Sequence, residues 1–315
     1  MKASRRPSDR SNRWQSFKKR LLQIVGIGVL ALNLMAFAGA YGMTHYSTPE
    51  QWTLGLPKPA SPNLPSDIGL DYVTHRLSMS DAEWLEAWFV PAQQAQSNGT
   101  VLLFPGNGGS KAKQLLASTQ SFHQLGYDAF LVDFRGVGGS SGNTGTIGMR
   151  EAKDVAFALN AAPNLQLKPP YILYGISMGT SAILKAVAQE GIEPNAIILE
   201  LPFARLIDAV RSRLRDVRFP TFPMAELIVF WGSVQHGSNG FAHNPVNYAR
   251  QVERPTLLLH SEFDKWTTTE EINQIFENLS GEKQLVIFPD VGHNLLVTVN
   301  QSLWEQSINQ FLNSI

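Results

Sequence analysis

From about Asp71 onward, short apolar runs alternate with longer stretches in which apolar residues recur at helical spacing. The short runs predict strands at Tyr72–Leu77, Trp84–Val90, Val101–Phe104, Asp128–Val132, Tyr171–Tyr174, Ala196–Leu199, Thr256–His260 and Gln284–Phe288. The stretches between them predict helices at Lys113–Leu125, Gly148–Ala161, Met178–Glu190, Thr269–Leu279 and Thr298–Leu312. Such alternation predicts an α/β architecture, an eight-stranded, mainly parallel sheet flanked by helices. The central strands are continuously apolar, as expected when both sheet faces are covered. No helix separates the first two strands, so they should pair as a hairpin at one edge. Between Pro202 and Asn247 the alternation fails. Leu206–Leu214 reads as a helix, and Phe219-Pro-Thr-Phe-Pro223 leads into a second at Met224–Trp231. This insertion, about 202–247, predicts a helical cap over the carboxyl edge of the sheet. Its apolar cluster Leu227–Trp231 fits either ordinary packing of cap on core or a wall that binds an acyl chain.

The first 70 residues follow a different pattern. Residues 1–20 are a basic tail holding eight of the 26 basic residues and one of the 26 acidic ones, so the remainder is net acidic. A basic domain surface suited to nucleic acid is therefore not predicted. Residues 21–43 follow, with Gln23 and Asn33 as their clearly polar members. About 20 apolar residues suffice to cross the hydrocarbon core, so this segment predicts an N-terminal transmembrane helix. The basic flank predicts a single pass with the N-terminus cytoplasmic and the rest exported. A secreted or periplasmic form is the alternative, because Ala36-Phe-Ala38 and Ala38-Gly-Ala40 resemble signal cleavage sites. The apolar run exceeds the usual length of a signal core, which favours the anchor. Residues 44–70, punctuated by Pro49, Pro57, Pro59, Pro62 and Pro65, read as a linker to a catalytic domain over 71–315.

Composition narrows the chemistry. The chain has no cysteine, which removes disulfides, thiolate catalysis and cysteine-based metal sites. Neither a His-Glu-x-x-His motif nor a phosphate-binding Gly-x-x-x-x-Gly-Lys-Ser/Thr loop occurs. No metal or organic cofactor is expected.

One constellation carries chemistry. Gly175-Ile-Ser177-Met-Gly179 follows an apolar strand and opens a helix, the context of a nucleophile elbow. The flanking glycines suit a strained turn that neighbouring Cβ atoms would block. A second match, Gly138-Gly-Ser140-Ser-Gly142, lies among glycines without a helix directly after it, so Ser140 reads as a loop serine. A serine nucleophile needs a base and a group to orient that base. Asp264 follows the strand Thr256–His260, and His293 follows Gln284–Phe288. The order Ser, acid, His fits the elbow, and all three should project from one carboxyl edge. Alternatives stay open: Glu262 could be the acid, Asp264 could cap the next helix, and Asp290 should shape the turn. His260 reads as a satisfied structural group, and His236 and His243 as surface positions in the cap. The oxyanion should be met by the N–H groups of Met178 and of Asn107, in the Gly-rich turn Phe104-Pro-Gly-Asn-Gly-Gly109.

From Tyr72 to the C-terminus the chain resembles the α/β-hydrolase superfamily of serine hydrolases, in particular the branch whose oxyanion loop reads His-Gly-Asn-x-Gly. Asp133-Phe-Arg-Gly-Val-Gly-Gly-Ser140, Glu200-Leu-Pro-Phe203, His260-Ser-Glu-Phe-Asp264 and Gly292-His293-Asn294 match further signatures of that branch. The resemblance implies an α/β-hydrolase fold, a Ser177–Asp264–His293 triad and esterase or depalmitoylase-like activity on a small-molecule or lipid-like acyl substrate. Pro105 stands where the family has histidine, and Lys265-Trp-Thr replaces the residues ending in Val-Pro. Two other functions share parts of this pattern: a serine peptidase of the same fold, and a catalytically silent, membrane-anchored interaction domain.

Overall fold

The computed structural model describes residues 8–47 and 63–315. The start of the basic tail and most of the proline-rich linker therefore lie outside the described residues. One mixed sheet organises the rest. Its strands are β1 Val73–Ser78, β2 Trp84–Val90, β3 Thr100–Phe104, β4 Asp128–Val132, β5 Tyr171–Ile176, β6 Ala196–Glu200, β7 Thr256–Ser261 and β8 Lys283–Phe288. The helices are α1 Ser8–Thr44, α2 Leu116–Gln124, α3 Glu151–Ala161, α4 Met178–Lys185, α5 Leu206–Asp216, α6 Met224–His236, α7 Pro245–Tyr248, α8 Thr269–Asn278, α9 Leu296–Val299 and α10 Gln301–Leu312.

Strand order is β1-β2-β4-β3-β5-β6-β7-β8. β1 and β2 form the expected edge hairpin, β2 runs antiparallel to β4, and every later pair is parallel. From β3 the chain steps outward to β4, then returns to place β5 on the other side. That reversal is a topological switch point, and open α/β sheets leave their binding crevice there, beyond the carboxyl ends of the strands. Phe104 pairs with Gly175 across it, so the turns after β3 and β5 face each other.

The residues of β3, β4, β5 and β6 are buried almost without exception, which explains their uninterrupted apolar sequence. Leu102, Phe130, Leu173 and Ile197 point into one core with α3, α4 and α8. Val101, Leu131, Ile172 and Ile198 point into the other with Phe122 of α2 and Trp304 of α10. Four expected helices are modified at their ends. That over Met178–Glu190 leaves α-helical geometry after Lys185 and closes in a π-helical turn, Ala186–Glu190. Ahead of α2, Lys111–Leu115 adds a wider π-helical turn. Glu151, at the start of α3, accepts from the Thr146 and Gly148 N–H groups, which delays that helix to Glu151. The last predicted helix divides at Asn300, whose side chain caps Leu303 N–H at 3.1 Å and opens α10.

Between β6 and β7 lie α5 and α6, where the pattern predicted inserted helices. They form a third apolar cluster, and α1 belongs to it: Ala36 and Ala40 are buried against α5 and α6. At about 1.5 Å per residue α1 is long enough to cross a bilayer, and it is the candidate membrane span among the described residues. Its final turns nevertheless pack on protein.

Candidate active site

The site begins with a backbone constraint. β5 ends at Ile176 and α4 starts at Met178, so the whole reversal falls on Ser177, with φ 50° and ψ −108°. A β-substituted residue enters that region at a cost of about 1–3 kcal/mol, held by its surroundings. Here the Ser177 N–H donates to the Glu200 carbonyl at 2.8 Å, and the Ser177 carbonyl accepts from the Thr180 N–H at 3.0 Å. The flanking glycines are steric necessities. A Cβ on Gly179 would lie 2.6 Å from the Phe104 carbonyl oxygen, and one on Gly175 would lie 2.7 Å from the Gly179 carbonyl carbon.

His293 and Asp264 meet beside this serine. Asp264 follows β7 and is buried; its Oδ1 accepts the Trp266 N–H at 2.8 Å, and its Oδ2 lies 2.7 Å from His293 Nδ1. Burial alone would raise the Asp264 pKa. The hydrogen bonds from His293 and from the Trp266 backbone outweigh burial and hold the carboxyl below its ordinary range. Glu262 is exposed and takes the Asp290 N–H instead, so the open choice between the two acids resolves on Asp264 as the histidine's partner. Asp290 does shape the turn, with a φ of 57°.

Ser177 and His293 line one open cleft of about 410 Å³ together with Asn107, Arg213 and Trp266. Met178 stands in the first turn of α4, where backbone N–H groups lack intrahelical acceptors. Asn107 sits opposite, in the turn after β3. That turn is held from two sides: Gln114 Oε1 accepts the Gly106 N–H at 2.7 Å, and the Tyr46 hydroxyl donates to Asn107 Oδ1 at 2.5 Å.

Several residues around the cleft carried no clear sequence signal. Gln114 and Tyr46 are examples, because each acts through one side-chain contact that has no periodicity. Trp266, inside the Lys265-Trp-Thr departure, lies with its ring 4.4 Å from the His293 ring. The Arg213 guanidinium packs on its other aromatic neighbourhood, 4.5 Å from the indole centroid. Burial pushes the Arg213 pKa down, partly offset by Asp264 and Asp216. Among the described residues Arg213 forms no ion pair with a carboxylate.

The other serine and the remaining histidines sort differently. Ser140 is a buried brace: its hydroxyl donates to the Asp133 carbonyl at 2.6 Å and accepts the Glu86 N–H at 2.8 Å. Asp133 in turn pairs with the fully buried Lys111, which also meets Glu86 at 2.8 Å. The Asp133–Ser140 motif therefore supports the sheet end. Two histidine expectations require correction. His243 is not on the surface but buried against Phe203 and Tyr248, and burial lowers its pKa to about 3. His260 is structural yet unsatisfied, since neither ring nitrogen has a hydrogen-bond partner, and burial lowers its pKa to about 4. Among the described residues no cluster of three or more His, Asp or Glu could hold a metal ion.

Comparison with known proteins places this geometry in context. Residues 95–227 match a family described as serine aminopeptidase, S33. The uncharacterized protein YqkD of Bacillus subtilis is 26% identical over 197 residues, 62% of this chain and 65% of that protein. Protein bem46 of Schizosaccharomyces pombe is 22% identical over 285 residues, 87% of this chain and 88% of that one. Lysophosphatidylserine lipase ABHD12 of Danio rerio is 26% identical over 189 residues, 58% of this chain and 47% of the lipase. The match thus spans less than two thirds of the first relative and about half of the lipase. Among solved structures, the esterase Pf2001 of Pyrococcus furiosus superposes with a TM-score of 0.67 at 20% identity, over 82% of this chain and 96% of the esterase. Est1E of Butyrivibrio proteoclasticus, with ferulic acid bound, gives 0.61 at 15% identity, over 76% and 98%. With its eight-stranded sheet, strand–turn–helix elbow and these neighbours, the chain has the α/β-hydrolase fold.

Proposed function

We propose that this protein is a membrane-tethered serine hydrolase that cleaves carboxylic esters or thioesters through an acyl-enzyme. The observation that carries the reading is the 2.7 Å contact between His293 Nδ1 and Asp264 Oδ2, in the cleft that Ser177 enters from a strained elbow. With Nδ1 donating to the carboxylate, Nε2 is the ring nitrogen left to take the Ser177 proton. Ser177 Oγ then attacks the carbonyl carbon, and the Met178 and Asn107 N–H groups receive the developing oxyanion. His293 passes the proton to the leaving group. Water, deprotonated by the same imidazole, releases the acid. The oxyanion loop is of the His-Gly-Asn-x-Gly type with Pro105 in the histidine's place. The esterase and lipase names among the relatives and neighbours favour acyl esters. Basic residues ahead of the apolar segment 21–43 favour a cytoplasmic N-terminus and an exported catalytic domain.

A fluorophosphonate probe tests this directly: the folded protein should be labelled, and Ser177→Ala should not. Equal labelling of both, or of neither, overturns the proposal. The family description covering 95–227 favours a second reading, a serine peptidase on the same triad. Faster turnover of aminopeptide amides than of p-nitrophenyl esters would establish it.

A further inference from the structure

Helix α1 does more than hold the domain near a membrane. Its last turns lie along α6 through small residues. A Cβ on Gly39 would touch Ile228 Cδ1 at 3.4 Å, and one on Gly232 would stand 3.8 Å from the Ala40 Cβ. Small residues at a helix crossing let the backbones approach closely. Polar contacts fix the register: the Trp231 indole N–H donates to Asn33 Oδ1 at 3.1 Å, and the Gln235 amide donates to the Phe37 carbonyl at 3.0 Å. Beyond the helix the chain stays attached. The Thr44 carbonyl accepts the Gly145 N–H at 2.8 Å, and the Tyr46 N–H donates to the Asn143 carbonyl at 2.9 Å.

Two residues of this segment reach the candidate active site. The Tyr46 hydroxyl crosses Gly145, where a Cβ would lie 2.2 Å from it, and donates to Asn107 Oδ1. Burial raises the phenol's pKa, so it remains a donor. Met43 lines a narrow crevice beside Ser177, in which Arg213 is the one charged lining residue. Met43 also lines a second crevice, between α1 and α6, which contains Ala40, Ile228 and Val229. Ile147, Leu206 and Val210 are common to both. The two crevices therefore share one apolar wall, between the nucleophile on one side and the α1–α6 seam on the other. The crevices measure about 20 and 30 Å³, each close to the space of one water. Methionine, with three rotatable side-chain bonds, is suited to yield at such a junction. Outside the seam, Phe230 and Val234 of α6 and Leu30, Leu34 and Phe37 of α1 are exposed. Apolar side chains there suit lipid, not water.

We propose that α1 is part of the substrate site: the acyl tail of a bilayer-derived ester or thioester lies along the α1–α6 seam, passes Met43 as a gate, and presents its carbonyl to Ser177. Tyr46 is a positioning residue that braces the oxyanion loop through Asn107. The proposal rests on the hydrolase reading above.

Full-length protein in lipid nanodiscs, assayed with p-nitrophenyl esters from butyrate to palmitate, tests it. Met43→Ala should shift preference toward longer chains, raising the palmitate-to-butyrate ratio of kcat/KM about tenfold, the scale of one methylene in an apolar pocket. Met43→Trp should lower that ratio. Tyr46→Phe should reduce kcat about tenfold or more with KM and the urea midpoint unchanged, as expected when the oxyanion contact it braces is made only in the transition state. A measurement on the unmodified chain guards against variants that fail to fold. A long-chain alkyl fluorophosphonate with a terminal diazirine, once attached and photolysed, should crosslink to α1 or α6. Unchanged chain-length profiles in both Met43 variants, crosslinks confined to other elements, or an unaltered kcat in Tyr46→Phe would overturn the proposal while leaving a labelled, active hydrolase intact. Failure of the wild-type chain to be labelled at all would overturn both readings.

Discussion

Glu200 offers the sharpest test of how the site is held. It ends β6, and its side chain is fully buried. Oε2 accepts the Tyr174 hydroxyl at 2.6 Å and the Trp304 indole N–H at 2.9 Å, while Oε1 accepts the Leu296 N–H at 2.9 Å. Burial dominates and raises its pKa, with the three donors opposing. Two costs therefore compete: the desolvation of a carboxylate, and the donors it satisfies. In Glu200→Gln the amide oxygen can serve either Leu296 or the Tyr174–Trp304 side, but the NH2 group then faces an N–H on the other. One buried donor is orphaned, at about 1–3 kcal/mol. Relief of charge burial offsets part of this, leaving a net loss of about 1–2 kcal/mol and a fall in urea midpoint of about 0.5 M. Glu200→Leu orphans all three donors and should lose roughly twice as much or more. The catalytic effect follows the same bonds. Leu296 lies three residues beyond His293, so releasing its N–H should displace the imidazole and lower kcat by about 10- to 100-fold. Urea titrations followed by tryptophan fluorescence, with Trp304 itself a reporter, measure the first effect, and ester turnover the second. A Gln variant as stable as wild type would mean that desolvation outweighs the network, and the reasoning would fail.

Two further outcomes follow from the structure. Gly179→Ala drives a Cβ against the Phe104 and Pro105 carbonyl oxygens, at 2.6 and 3.0 Å. Because the elbow and the oxyanion loop must then separate, fluorophosphonate labelling should slow by about 100-fold or more; an unchanged rate would contradict the packing. Acid sensitivity should come from buried neutral histidines. His243 and His260 have folded-state pKa values of about 3 and about 4, below the ~6.5 of an unfolded chain. Between those values and 6.5 the unfolded state binds more protons, so their contribution is complete above pH 6.5 and is lost as pH falls. At pH 5 each should cost about 2 kcal/mol, and His243→Phe should flatten the slope. Buried Asp154, whose pKa burial raises to about 6, opposes this over the same range, so an identical pH 7 to pH 5 midpoint change in wild type and His243→Phe would refute it.

The central strands were legible because they are covered on both faces, and β1 and β2 because they form the edge hairpin, conditions that write themselves as continuous or alternating apolar runs. β8, half-buried at the other edge, was legible through the apolar run Leu285–Phe288. Ser177, Asp264 and His293 could be proposed as a triad because fold topology fixes where strand ends go, and each follows a strand that reaches the same edge. What could not be read were single contacts. Tyr46 finds Asn107 across 61 positions, and Arg213 finds Trp266 from a different element; neither leaves a period. His243 was misjudged because an inserted segment was assumed to expose its polar residues, whereas this one folds with an apolar interior of its own. The cluster Leu227–Trp231 is neither of the two expected things alone. Ile228 helps line a crevice, while Trp231 is bonded to α1.

Residues 36–40 show why the sequence left the fate of the anchor open. Ala36, Ala38, Gly39 and Ala40 satisfy the small-residue requirement of a signal cleavage site. Close packing between two helices requires the same residues. The structure uses Ala36 and Ala40 in the second way, burying both completely or nearly so. Severing the chain after Ala38 or Ala40 would remove Asn33 from Trp231 and Ala36 from the apolar cluster of α5 and α6. α6, whose segment Leu227–Trp231 is continuously apolar, would then lose its α1 cover and keep its packing on α5. An exposed helix of that kind is an aggregation liability. A cleaved, soluble form would thus lose both a wall of its crevice and the cover of its cap, while the retained helix supplies the two together. The small residues that resemble a cleavage signal are also the face on which α1 meets the cap.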